Sequence, residues 1–437
     1  MRTSLRDRAR VWRAQRGPGK AVALVATAMG PWPWTMKRWL ESIVAIALAG
    51  CSGGDGATSD ALSTTLPPSN APIDGLSSDD LASFAAGEKA FFQTWSETDG
   101  LGPLYVATSC GACHKDGARG PGSVQKMVMV EADGFTTAMD QTALPYGNTE
   151  RRGLAAGATT PIVPPAVPNV LVTTRLGPQM LGRGYMEAID DAELERVETS
   201  QAARADAIHG KINRITIDSV PNPDTTFSHY HAGQANVVGR FGLKAREAVI
   251  DDEAASAALG VIGLTSPMQP NEYANPDGLS DDRKPGQDLD ISVIDSLAFY
   301  IRRVAIPPRI ALSDHGAMLF EQVQCSACHV PSLKTRADYP ITQLAGIDAP
   351  VFTDLLLHDM GQALADGLTD QSATTTTWRT PALIGVKFAG TYLHDGRANT
   401  VHDAILKHAG EAAAVVAGFA ALSADDQQAL ETYVEAL

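Results

Sequence analysis

Two copies of one short pattern, Cys-x-x-Cys-His, constrain this 437-residue chain more than any other feature. The first reads Ser109-Cys-Gly-Ala-Cys-His114 and the second, 215 positions later, Gln324-Cys-Ser-Ala-Cys-His329. There are five cysteines, so the pairs Cys110/Cys113 and Cys325/Cys328 leave Cys51 alone. A zinc ribbon would gather its cysteines from within a few tens of residues; here 211 residues part the pairs and both histidines are surplus. A thioredoxin-like redox pair needs no following histidine and sits beside a strand-helix unit, which neither flank suggests. Covalent haem attachment uses every residue of the pattern. On one helical turn the i, i+3 thiols share a face and form thioethers to the haem vinyl groups, while the adjoining histidine comes round to the iron. The pattern predicts two covalently bound c-type haems, with His114 and His329 as proximal iron ligands.

Each haem needs a helix leading into its motif. His315-Gly-Ala-Met-Leu-Phe320 supplies one before the second motif, like the first helix of a small cytochrome c domain. Gly87-Glu-Lys-Ala-Phe-Phe92 supplies another before the first, delayed by an insertion from Gln93 to Thr108. The predicted fold is mainly α, with two cytochrome c-like haem domains. Residues 79–309 form the first, with a long loop-rich insertion that includes Pro-rich Thr160 to Pro168; residues 310–437 form the second. A helix predicted over Leu289 to Val304 is apolar at Ile291, Ile294, Leu297, Ala298 and Ile301, and Ile306-Pro-Pro-Arg breaks it at the boundary. A closing helix starts at Ser423, with Asp425 and Asp426 in its first turn.

The first fifty residues differ from the rest. They hold nine of the 35 basic residues, two of the 50 acidic ones and four of the six Trp. Met36-Lys-Arg followed by the short apolar run Leu40 to Gly50 reads as an export signal, too short for a comfortable membrane span. Leu48-Ala-Gly-Cys51 resembles the lipobox of bacterial lipoproteins, which implies lipidation at Cys51, translation from Met36 and a mis-assigned start before it. An ordinary export signal with an incidental cysteine would take the chain out of the cytoplasm equally. Residues 1–50 are thus read as signal and mis-assigned start, and 51–78, rich in Gly, Ser, Thr and Pro, as a lipidated flexible tether. The expected location is the periplasmic side of the bacterial envelope, anchored to the outer membrane by lipid. Without the first fifty residues the charge is 26 − 48 = −22, which disfavours nucleic acid and favours a basic partner.

Each iron has a sixth position to fill. In Asn399 to Gly410, Val401, Ala404, Ile405 and His408 fall on one helical stripe and His402 points away, so His408 is the candidate ligand for the second haem. For the first haem the candidates are Met127, Met129, Met180, Met186, His209, His229 and His231, or an open position where substrate binds.

Several stretches together carry a resemblance. Asp99-Gly-Leu-Gly-Pro-Leu104, Leu181-Gly-Arg-Gly-Tyr-Met-Glu-Ala-Ile189, Gly239-Arg-Phe-Gly-Leu-Lys-Ala245, Asp354-Leu-Leu-Leu-His-Asp-Met-Gly361, Trp378-Arg-Thr-Pro-Ala-Leu383 and Tyr392-Leu-His-Asp-Gly-Arg397 resemble the bacterial di-haem oxidoreductase family. Its members are labelled peroxidases or thiol oxidoreductases, and it is similar to the di-haem cytochrome c peroxidases and to the di-haem enzyme that matures tryptophan tryptophylquinone. The resemblance spans roughly Ala86 to Leu437. It implies an enzyme that takes electrons at the C-terminal haem from a small redox protein, a cytochrome c or cupredoxin, and reduces hydrogen peroxide at the N-terminal one; a calcium ion is a further candidate cofactor. In the peroxidases a methionine about fourteen residues beyond the Tyr-x-His-x-Gly motif ligates the C-terminal haem, and that spacing from His394 reaches His408. His358 and Met360 are the fallback ligands, His394 and Arg397 positioning residues, and Arg379 a partner for a haem propionate.

Two departures touch the catalytic half. Leu243 stands where the family usually has a Trp, and Val261 where it has an acid. Peroxide cleavage benefits from a base that carries a proton between the two oxygens, and Glu253, eight positions upstream, is the candidate; its alternative is an exposed helix carboxylate beside Asp251 and Asp252. A non-catalytic di-haem electron-transfer protein of the envelope is the other reading of the chain.

Overall fold

The computed structural model describes residues 70–115, 122–228, 230–279, 284–309 and 313–437. Cys51, the export signal, most of the tether and His229 lie outside the described residues. Among those described, the helices are α1 (Ser78–Phe92), α2 (Arg183–Ala188), α3 (Asp191–Ala202), α4 (Ile250–Ala257), α5 (Ile291–Arg303), α6 (Asp314–Gln322), α7 (Val401–Leu406), α8 (Ala413–Ala420) and α9 (Ala424–Glu435). None is long and apolar enough to cross a membrane. The strands form two-stranded antiparallel ladders, of which the longest pairs Ser123–Met129 with Val170–Leu176.

The helix starts follow their capping residues. Ser77 accepts from the Asp80 amide and Asp80 returns the bond, a capping box that opens α1; Thr400 and Ser423 cap α7 and α9 through the same side-chain acceptor. The apolar stripe expected before Ile306 is real: α5 buries Ile294, Leu297, Ala298 and Ile301. It packs against α1, where Phe84 meets Tyr300 with ring centroids 4.9 Å apart. Gly87 permits that approach, since a Cβ there would lie 2.2 Å from the Ser296 carbonyl oxygen.

One expectation needs correction. Residues 70–77, read as the end of a flexible tether, are packed: the Ile73 amide donates to the Arg303 carbonyl at 2.9 Å and its side chain is buried. Apolar Ile73 finds a site among Tyr339, Ile341 and Leu344, and that burial outweighs the polar composition around it. The insertion reaches the second motif as well. Gln201, at the end of α3, donates to the Ala327 carbonyl and to Asp354, both at 2.8 Å, and Arg204 donates to Gln324 at 2.8 Å, so this segment braces the second motif.

The main core likewise crosses position 310. Phe84, Leu181, Ile250 and Leu297 share one buried cluster with Leu333, Val351, Leu355 and Ile384. A second cluster joins α6 and α9 through Phe320, Phe419, Leu430 and Tyr433, and Cys325 packs on its edge.

Candidate functional site

Both Cys-x-x-Cys-His motifs are wound into one tight turn. Cys110–Ala112 and Cys325–Ala327 are short helical turns, and the amides of His114 and His329 donate to the carbonyls of Cys110 and Cys325 at 3.1 and 2.9 Å. This geometry sets each histidine back beside its first cysteine, as the sequence predicts. None of the four sulfurs is in a disulfide, and burial pushes Cys110 and Cys325 up to about 12 and raises Cys113 and Cys328. Such thiols are neutral at pH 7, which is unlike the low-pKa thiolate of a redox pair. The two motifs also pack on different clusters, Cys110 on those of Phe91 and of Trp95 and Leu101 and Cys325 on that of Phe320, and among the described residues no close group of three or more metal donors draws on both.

A cavity of about 240 Å³ opens at the second motif, lined by Cys325, Cys328 and His329 and also by Ala404, Ile405 and His408. His408 follows the end of α7, its amide donating to Ile405. The two imidazoles are oriented alike. Nδ1 of His329 lies 3.2 Å from the Phe352 carbonyl, and Nδ1 of His408 2.6 Å from the Ala404 carbonyl. A carbonyl can only accept, so each Nδ1 carries the proton and each Nε2 keeps its lone pair. Burial, with His408 as the next cause, pushes His329 down to about 4, and burial lowers His408 as well. Neutral imidazoles with Nδ1 tied to the backbone are what iron ligation requires. His402 turns away to Glu431, 2.7 Å from its Nδ1.

The remaining wall is aromatic and charged. Leu357–Asp359 pairs with Thr377–Arg379, placing Trp378 opposite His358. Trp378 stacks on His394, with centroids 3.8 Å apart and planes 12° from parallel, and the buried Lys244 ammonium lies 4.0 Å from the indole centroid. Burial lowers His394 to about 4. His358 is no ligand in waiting: Asp354 and Glu411 occupy its two nitrogens at 2.8 and 2.7 Å. Met360 does line the cavity. Arg379 donates Nε to the Gly242 carbonyl and Nη1 to that of Thr380, both at 2.9 Å, while Arg397 is held by Asp395 at 2.6 Å.

At the first motif the His114 ring edge rests on Gly177; a Cβ there would stand 3.1 Å from His114 Cε1. Its buried Nδ1 has no hydrogen-bond partner among the described residues, and the Pro178 backbone lies close enough to favour the charged ring slightly. Burial, then the neighbouring Arg183 charge, pushes His114 down to about 4. The backbone-lined cradle, the neutral imidazole and the two thiols of one turn fit a covalently held haem here too, with His114 as ligand.

Glu253 lies in α4, and its carboxylate is in contact with the Arg183 guanidinium. Arg183 is almost wholly buried, donates to the Gln179 carbonyl at 3.0 Å and lies over Phe241, 5.2 Å from its centroid. The exposed-carboxylate alternative is thus not what the fold places there, and neither is a free base. Sequence reasoning missed Arg183; a cation inside the apolar run Met180 to Ile189 was the available signal. Val261 accepts from the Val106 amide at 2.7 Å through its carbonyl and packs against the same apolar cluster as Cys110. Of the other candidate sixth ligands, Met127, Met180 and Met186 are buried in apolar clusters, His209 turns Nδ1 to the Gln201 carbonyl at 3.1 Å, and His231 is exposed. Among the described residues, the close group of three or more His, Cys, Asp or Glu donors is Cys328, Asp354 and His358, which is not the oxygen cage that calcium takes.

Comparison with known proteins gives a family. Residues 166–437, well over half of the chain, match the family described as "Di-haem oxidoreductase, putative peroxidase". No curated protein matches. Among solved structures, the hydrazine synthase of Kuenenia stuttgartiensis is 13% identical with a TM-score of 0.36, over 90% of this chain and 100% of that one. A MauG-like protein associated with microbial copper homeostasis is 15% identical with a TM-score of 0.34, over 86% and 93%. The diheme peroxidase BthA of Burkholderia thailandensis is 13% identical with a TM-score of 0.36, over 86% and 94%. TM-scores of this size mark a loose likeness only.

Proposed function

The chain belongs to the di-haem oxidoreductase family, and on that premise we propose that it carries two covalently attached c-type haems and reduces hydrogen peroxide. Cys110, Cys113 and His114 hold the first haem within residues 79–309, and Cys325, Cys328, His329 and His408 hold the second within 310–437. Electrons enter at the second from a small cytochrome c or cupredoxin and pass to the first. The lipobox-like sequence at Cys51 supports export and anchoring on the periplasmic face of the outer membrane.

The observation that carries this reading is the matched pair His329 and His408, both lining one cavity with each Nδ1 tied to a carbonyl. Two histidine ligands close an iron to substrate, which leaves chemistry to the His114 site. Bound haem would supply one-electron transfer at the second site and peroxide cleavage at the first. The chain's own residues orient the ligands: the Phe352 and Ala404 carbonyls fix His329 and His408, and Gly177 and Pro178 back His114. Reduction of peroxide to water also consumes two protons for its two electrons. Glu253 would have to leave its ion pair with Arg183 before carrying one.

Rapid mixing of the reduced holoprotein with hydrogen peroxide tests the proposal. Haem oxidation much faster than in the oxygen control is the expected result; oxidation no faster would end the peroxidase reading. That outcome would favour a non-catalytic redox relay, which the engagement of Glu253 by Arg183 also favours, and which requires both irons to be six-coordinate and low-spin. A high-spin signal in the half-reduced protein speaks against the relay.

A further inference from the structure

We propose that Lys244 guards Trp378 against one-electron oxidation, so that the aromatic wall of the second cavity does not surrender electrons to an oxidised cofactor. The proposal rests on the di-haem reading for its purpose, but not for its test. Trp378 lines the cavity together with Cys325, His329 and His408, and its indole is a fixed plate. Nε1 donates to the Leu364 carbonyl at 2.9 Å. The His394 ring lies flush on one face at 3.8 Å, so the Lys244 ammonium, 4.0 Å from the indole centroid, takes the other. Arg175 stands 5.6 Å from the same ring.

An indole that gives one electron to an oxidant becomes a radical cation unless its N–H proton leaves. The Leu364 carbonyl accepts a hydrogen bond but is too weak a base to take that proton, and His394 is stacked rather than bonded to Nε1. The positive charge therefore stays on the ring, in the interior, against an ammonium and near a guanidinium. Repulsion between such charges is strong where water is excluded. Asp366 and Asp370 are the counter-charges. Asp366 lies 3.6 Å from Lys244 Nζ and 2.6 Å from Arg175 Nη2, and Asp370 lies 3.0 Å from Arg175 Nη1, so both carboxylates are held by the cations. Leu243, which precedes Lys244 and lines the same cavity, is not oxidisable. The chain thus has one indole in this wall and sets a cation on it.

Lys244 also has a structural role, since Nζ donates to the Thr374 and Thr377 carbonyls at 2.7 and 3.0 Å and so pins the loop that leads to Trp378. Alkali separates the two roles. Burial, opposed by Asp366, lowers Lys244 to about 8, and its neutral amine still has two N–H groups for those carbonyls.

The test exposes the holoprotein to hexachloroiridate(IV), an outer-sphere one-electron oxidant, and maps oxidised tryptophan by peptide mass. Trp95, buried in another cluster, is the internal control. Trp378 should be oxidised more slowly than Trp95 near neutral pH. Raising the pH well past 8 should speed Trp378 by about tenfold or more, with little change at Trp95, and Lys244→Met should do the same at neutral pH. If Lys244→Met does not fold, the pH series on the wild-type protein decides. Trp378 oxidised as fast as Trp95 at neutral pH, or no acceleration on removing the charge, overturns the proposal. The oxidant is external, so failure of peroxide turnover leaves the result intact.

Discussion

His358 Nε2 lies 2.8 Å from Asp354 Oδ2, and neither side chain is more than marginally exposed. Glu411 closes on Nδ1 at 2.7 Å, and the Cys328 sulfur lies 3.7 Å from that same nitrogen, so a clamped imidazole backs one cysteine of the second motif. The residues that complete the clamp come from far away in sequence: Gln201 donates to Asp354, and the His209 amide to Glu411.

The clamp gives stability a definite pH dependence. Burial works against the imidazolium, but Asp354, with hydrogen bonds to Cys328 and Glu411, holds His358 well above the ordinary histidine range. In the unfolded chain a histidine titrates near about 6.5, so between that value and the raised one the folded state binds the extra proton. Its contribution is complete below the unfolded value and is lost as pH rises toward the folded one. Urea midpoints from mildly acid to alkaline pH should fall less steeply in His358→Gln than in the wild type; a steeper fall in the variant would show the sign to be wrong.

His408→Ala should act on the second haem alone. The side chain lies at the cavity with its Nδ1 committed to Ala404, so its loss frees one iron position without touching the core around Phe320. The absorption and EPR spectra should show one haem turned high-spin or water-ligated and the other unchanged. Unaltered spectra would remove His408 as a ligand and point to Met360, the other cavity-lining candidate.

Arg302 should be needed for the fold rather than for the chemistry. Its guanidinium meets Glu187 at 2.6 and 3.0 Å and also contacts Asp251, while Tyr339 donates to Glu187 at 2.6 Å. Removing one partner of a buried ion pair leaves the others uncompensated, which costs about 3–5 kcal/mol. Arg302→Met should lose that much in denaturant unfolding, and Arg302→Met with Glu187→Gln should lose less than the sum. Strict additivity would mean the pair is not coupled.

Glu253→Gln discriminates a base from an ion-pair partner. If the carboxylate serves mainly to hold Arg183, the amide keeps one acceptor oxygen and peroxide-driven haem oxidation should slow by less than about tenfold. A loss of about a hundredfold or more, the low end of what general-base removal costs, would make Glu253 the proton carrier despite its ion pair.

The two Cys-x-x-Cys-His turns were legible because their spacing is local. A Cys-x-x-Cys-His turn specifies its own geometry, and the stripe of Val401, Ala404 and Ile405 leads to His408 although the helix stops at Leu406. An apolar stripe likewise located α5 and the cap at Ser423 located α9, while for α1 only its last turns, Gly87 to Phe92, were read. What stayed hidden depends on pairing between distant segments. Nothing local in Gln201 or Lys244 says that each is buried against a partner on another stretch of chain. Composition misled for residues 70–77, because one Ile side chain in a waiting apolar site outweighs a polar neighbourhood.

Gly177→Ala tests the first haem cradle from the backbone side. The glycine is not there for an unusual dihedral; it is there because the His114 ring edge passes over it. An added Cβ would meet Cε1 at 3.1 Å, with Nε2 and Nδ1 at 3.6 and 3.7 Å, so the ring must shift by a few tenths of an ångström or tilt. The Phe91 ring lies near it, centroids 6.1 Å apart, and the Cys110 turn holds it through the chain, so the strain falls on the ligand's orientation. Overpacking of this kind costs about 1–3 kcal/mol in stability. The spectroscopic effect should be confined to the haem of Cys110 and Cys113, seen as a change in its EPR g-values while the His329/His408 haem keeps its own. A change at the second haem alone would place the Gly177 contact on the wrong site, and no change at either would show that His114 does not hold an iron in this position.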